Sequence, residues 1–153
     1  MGLLAAPVAV AHIGADDGHE MPISCDNSKF QQDQGMLAEQ YSHRNVPYGQ
    51  HLELPEHVCG SVVKVYRSRK SRSGWHGYFL MTVGQGQTLR IVSNLDNMNA
   101  PQWPWVAEGD MIDVRGRYYF DGPHRQGLDW THHGTSRKWP WGGYVTVNGK
   151  RYE

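Results

Sequence analysis

Residues 111–120 read Met-Ile-Asp-Val-Arg-Gly-Arg-Tyr-Tyr-Phe. Ile112, Val114, Tyr118 and Phe120 fall on one face of an extended chain. Asp113, Arg115 and Arg117 fall on the other, and Gly116 holds one place on the apolar face. A two-residue period of this kind belongs to a strand with one face in a core and one in water. Shorter apolar runs flank it. His57–Tyr66 carries Val58, Val62, Val63 and Val65, with Gly60 inside it as a bulge or sharp coil. Tyr78–Val83 and Thr88–Ser93 sit either side of Gly84-Gln85-Gly86-Gln87, a hairpin turn. Leu128–His133 reads as a fifth strand after Asp121-Gly122-Pro123, and Asn148-Gly149 closes a C-terminal hairpin.

Eighteen glycines and eight prolines in 153 residues favour short strands and turns over long helices. The one helical stretch is 29–43, where Phe30, Leu37 and Tyr41 share a face and Gly35 interrupts. These elements predict an all-β chain: a small OB-like five-stranded barrel with an N-terminal helical or irregular segment and a C-terminal β-hairpin. A β-sandwich is the alternative. The organisation expected is an export-signal remnant and irregular lead-in over 1–28, a short helix and linker over 29–56, and the β-barrel domain over 57–153. No apolar run reaches the roughly 20 residues of a membrane span.

The first eleven residues end in Ala9-Val10-Ala11, which fits signal-peptide cleavage, but no base precedes them. The expectation is the tail of an export signal whose start lies upstream, hence a periplasmic or secreted protein. The alternative is a cytoplasmic protein with an Ala-rich terminus. On the export reading Cys25 and Cys59 form a disulfide; on the cytoplasmic reading both are free thiols.

The zero net charge hides a split. Residues 1–63 hold two bases and eight acids; residues 64–153 hold thirteen bases and seven acids, and all six tryptophans. Lys64, Arg67, Arg69, Lys70 and Arg72 follow one another with no acid between, flanked by Tyr66, Trp75 and Tyr78. Cations neutralise phosphates and aromatics stack bases, so this loop is a candidate face for an anionic ligand or single-stranded nucleic acid. A solvated loop kept soluble by its charge is the plainer reading. His132 and His133, with Asp129 and Trp130 before them and His76 elsewhere, are candidate divalent-metal ligands. Adjacent strand residues point to opposite faces, which argues against both histidines on one ion. Asn94 and Asp96 either hold loop backbone or face a ligand. Asp96 with His132 would make a general base and its orienter in a metal-assisted hydrolase or nuclease. Trp139-Pro140-Trp141 reads as a lid. No nucleophile elbow, phosphate loop or dinucleotide fingerprint is present.

Trp75-His76-Gly77-Tyr78-Phe79, Asn94-Leu95-Asp96, Gly116-Arg117-Tyr118, Trp130-Thr131-His132-His133 and the closing Asn148-Gly149-Lys150-Arg151-Tyr152 stand in one order. Over about residues 36–152 the chain resembles bacterial domain-of-unknown-function family 3465. The resemblance implies a small β-barrel behind a signal or anchor, and no established activity. It also implies a polar cluster at His76, Asn94, Asp96, Trp130, Thr131, His132 and His133. Family members tend to carry a histidine where this chain has Ser93 and again where it has Asp129. They tend to carry glutamine at Gly77 and aspartate at Gly134. The reading that follows is a non-enzymatic, exported binding module for an anionic or polymeric ligand. The alternatives are the metal-assisted hydrolase and a structural envelope protein that docks a protein partner.

Overall fold

β1 (Glu53–Val65) has two partners in succession. Glu53–Ser61 pair antiparallel with β5 (Met111–Phe120), and Val62–Val65 pair with β3 (Gly74–Thr82). In the computed structural model, which describes residues 20–43 and 52–153, this change of partner closes a ring. From β3 it runs to β4 (Thr88–Asn94), then to β6 (Gln126–Asp129), and through β5 back to β1. The β4/β6 pair is parallel and every other pair in the ring is antiparallel. The ring through five strands is consistent with the OB-like expectation. Three further strands extend the sheet. β2 (Arg69–Ser71) pairs with β3, and β7 (Tyr144–Val147) with β8 (Lys150–Tyr152) continue from β5. A short 3-10 turn, η1 (Leu95–Asn97), follows β4.

Gly60 stands where β1 leaves β5. A Cβ there would collide with the carbonyl oxygen of Thr82, so glycine is needed for close approach of two backbones. The irregularity itself comes slightly later, between Val62 and Lys64, where Val63 is the extra residue. The expected bulge therefore lies three residues beyond Gly60. Phe79, Met81, Ile91, Val58, Val114, Tyr118 and Leu128 fill the ring, all fully buried.

Several predicted bounds move. β1 begins at Glu53, not His57, and includes Pro55. β3 reaches only Val62–Val65, so around Pro55 β1 is paired on one side, and strand prolines are tolerated on such edges. β2 lies in the stretch 67–74 expected to be loop. β6 ends at Asp129, so His132 and His133 are not on a strand. The export-signal remnant over 1–11 and residues 44–51 of the predicted helix and linker over 29–56 lie outside the described residues.

The helix α1 (Asn27–Ser42) is capped by the Asp26 carboxylate, which accepts from the Lys29 amide at 3.0 Å. It buries Phe30 edge-on to Tyr118, with ring centres 5.0 Å apart, and Leu37. Its leading residues are bound to β1. The Asp26 amide donates to His57 O, and the Asn27 side chain accepts from Cys59 N and donates to Cys59 O. The Cys25–Cys59 disulfide joins the same two segments. Buried His57 donates through Nδ1 to Pro22 O and meets Asp113 Oδ1 through Nε2.

One half-buried cation lies within reach of two acids at this junction. Lys29 Nζ lies 2.6 Å from Asp33 Oδ2 and 3.2 Å from Glu56 Oε1. Glu56 is fully buried. Burial first, and the neighbouring Asp33 carboxyl second, push its pKa from 4.5 up to about 9, against the pull of Lys29. At neutral pH, Glu56 is protonated and Lys29 pairs with Asp33 alone.

Two stability predictions follow from this junction. A proton held in the fold but released on unfolding stabilises below the unfolded pKa, and that gain is lost as pH rises toward 9. Thermal melts from pH 6 to pH 10 should therefore decline more steeply in the wild type than in Glu56→Gln, which keeps a neutral side chain. Parallel curves would refute a buried protonated Glu56. Reduction of the disulfide, which spans 34 residues, should lower unfolding free energy by about 3–4 kcal/mol. Denaturant titration with and without reductant measures it, and the native mass should be lighter by two hydrogens.

Candidate functional site

Alternation along β3 and β4 decides which side chains face out. Gly77, Phe79 and Met81 point into the ring, so His76, Tyr78 and Leu80 point out. On β4 the register sets Asn94 beside His76, Val92 beside Tyr78 and Arg90 beside Leu80. Lys64 of β1 lies opposite Leu80, and the amide of Tyr66 donates to Tyr78 O, so Tyr66 stands next to Tyr78 on this outer face. Arg69 of β2 lies opposite His76 on the same side. The result is an aromatic pair ringed by cations. Arg69 and Arg90 stand 5.2 Å and 4.7 Å from the Tyr78 ring centre, and Lys64 is 5.0 Å from that of Tyr66. Each such contact is worth about 0.5–1 kcal/mol at an exposed position. Tyr66, Arg69, Tyr78, Leu80 and Arg90 line a cleft of about 240 Å³. Lys64, Arg67, Arg69, Lys70, Arg72 and Arg90 make no ion pair among the described residues.

Lys70 pairs with Trp75, one residue out of step with Arg69 and His76. Those two side chains therefore project from the other face of the β2–β3 hairpin, toward the mouth of the ring. There Trp75, 44% exposed, shares a cleft with Leu95, Pro101 and Trp103. Trp103 packs over Gly77, where any Cβ would meet its ring, and its Nε1 donates to Tyr66 O at 2.9 Å. The basic loop and its aromatics thus form two faces rather than the single one expected. Arg67 is exposed on the β1–β2 connection and Arg72 on the β2–β3 turn.

The histidines are dispersed. His76 hydrogen bonds with the Ser71 and Ser73 hydroxyls. Gly116 and Gly143 let the chain at 129–131 press on them, because a Cβ at either would strike the carbonyl of Asp129 or Trp130. Within this closely packed segment Trp130 takes a left-handed conformation, φ 51°, where bulky residues are rare. His132 stacks on Trp130 with ring centres 5.1 Å apart, and its Nδ1 donates to His133 O. Trp130, His132 and His133 face Asp96 across an open cleft of about 430 Å³, and His76 is not among its lining. Thr131 is buried, bonded to Ser93 Oγ and Val92 O.

The carboxylates are engaged. Asp129 takes two bonds from Arg117, at 2.8 Å and 2.9 Å, which raise the guanidinium pKa. Asp96 Oδ2 accepts from the Trp75 amide at 3.0 Å. The Asn94 amide donates to Ser73 O, while its Oδ1 is buried without a partner. Asp96 and Asn94 therefore hold the β2–β3 hairpin. Among the described residues no three His, Cys, Asp or Glu side chains are placed to hold a metal ion. No described helix is long and apolar enough to cross a membrane.

Residues 22–153 match the profile of a family described as protein of unknown function (DUF3465). The chain belongs to the DUF3465 family. No curated protein matches it. In this DUF3465 member the motif residues Asn94 and Asp96 brace the hairpin, Thr131 anchors the β6 exit, and Trp130 and His132 form a stacked pair at the rim. Sequence reasoning named Tyr66 but missed Trp103 as a wall, and Arg90, which is distant in the chain. Strand alternation from Leu89 would have placed Arg90 outward.

Asp96→Ala should cost about 1 kcal/mol and speed hydrogen exchange at the Trp75 amide, with β5 amides unchanged. Exchange measured by NMR checks it.

Proposed function

We propose that this protein is a non-enzymatic, exported binding module that takes a linear polyanion on the outer face of β3 and β4. The observation that carries the reading is Tyr78 between the guanidinium groups of Arg69 and Arg90, beside Lys64 on Tyr66. These cations have no carboxylate partner among the described residues, so their charge is available to a ligand. OB-like rings bind oligonucleotides and oligosaccharides on the corresponding face, with the loop after the first strand at its edge; that analogy concerns fold alone. The disulfide supports export, since such bonds persist in oxidising compartments. Among the described residues, no placement of three ligand side chains favours the metal-assisted hydrolase.

Fluorescence anisotropy with labelled heparin and a labelled deoxythymidine decamer tests the reading at 50 and 200 mM salt. Binding should weaken steeply with salt. Arg69→Glu combined with Arg90→Glu should lower affinity at least tenfold and flatten the salt slope, because two phosphate-facing charges are lost. Equal affinity in wild type and double variant for both probes would overturn it.

A further inference from the structure

Three clefts adjoin around the β2–β3 hairpin. The first is the outer cleft at Tyr78, Arg69 and Arg90, of about 240 Å³. The second, of about 470 Å³, runs from Tyr66 past Arg67 and Ser68 to Trp103. The third, of about 400 Å³, runs from Ser68 and Trp103 to Trp75. Tyr66 lines both the first and the second; Ser68 and Trp103 line both the second and the third. The three clefts thus share walls in succession, from the outer face past the β1–β2 connection to the ring mouth.

Tyr78, Tyr66, Trp103 and Trp75 supply an aromatic ring in every cleft. Arg69 and Arg90 line the first cleft and Arg67 the second. No cation lines the third, but Lys70 is the strand partner of Trp75 at its edge. We propose that this path is a track for single-stranded nucleic acid, with bases stacked on the aromatics and phosphates met by the cations. The proposal rests on the polyanion reading above and narrows it. A polyphosphate has no ring to stack and would leave the aromatics idle. A duplex hides the faces of its bases. Stacking on π-faces tolerates any base, so the track should be weakly sequence-selective. Trp75 is the informative residue. It lies on the hairpin face opposite Tyr78, is partly exposed, and its side chain belongs to the third cleft alone.

The test compares a deoxythymidine decamer with an abasic decamer of equal charge, in wild type and Trp75→Ala. Circular dichroism confirms that the exposed substitution leaves the fold intact. The wild type should bind the base-bearing strand about tenfold more tightly, with quenching of tryptophan emission. Trp75→Ala should lose about tenfold for that strand and nothing for the abasic one. Equal binding of both strands, with Trp75→Ala silent, would overturn the track and leave the polyanion face standing. Failure of wild type to bind either strand, while heparin still binds and responds to the Arg69 and Arg90 reversal, would also overturn the track alone. Failure with all three probes would overturn both readings.

Discussion

The change of partner along β1 is the constraint on which the rest depends. One strand serves two neighbours only if it can bend sharply between them. Gly60 allows the approach to Thr82, and Val63 absorbs the register. Because β1 then ends against β3, the chain leaving it runs on along β3 as β2 before turning back at Ser71–Gly74. That extension carries the basic residues. The candidate face therefore lies just beyond the point of ring closure, on the hairpin that continues from it.

Glycines at close approach recur wherever the ring meets its additions. Gly77 admits Trp103, while Gly116 and Gly143 admit the segment around Trp130. Each trades a side chain for a backbone or ring placed nearer than any Cβ would permit. In that segment Trp130 is a large residue held in a left-handed conformation, stacked on His132 and 5.9 Å from the Arg117 guanidinium. The rim cleft is shaped by these contacts, and Asp96 reaches it only after bracing Trp75.

The parts of the fold that could be read from sequence are those with local pattern. β5 alternates along its whole length, and the turns at 84–87 and 148–149 use residues suited to positive φ. What escaped depends on distant contacts. β2 is too short and too exposed to show a pattern. Pro55 signals a loop until it is known that β1 is one-sided there. The apolar and aromatic run at 128–133 looks like one strand because nothing local announces that it will pack on Gly116 and Gly143 and turn at Trp130. The site was half legible for the same reason. Arg69, Lys70, Trp75 and Tyr78 are conspicuous in the chain. Which of them share a face is settled by pairing across β2 and β3, and Lys70 and Trp75 fall on the opposite side.

The β1–β5 ladder joins residues as far apart as Glu53 and Tyr119, so a chain made from its N-terminus carries Glu53–Ser61 of β1 unpaired until β5 follows. An exposed run with Leu54 and Val58 invites pairing with other chains. Glu56 sits inside that run. In the unfolded chain it is ionised at neutral pH, and in the fold it is protonated. The same side chain is a gatekeeper against aggregation while β1 waits, and becomes a neutral part of the interior once β5 arrives.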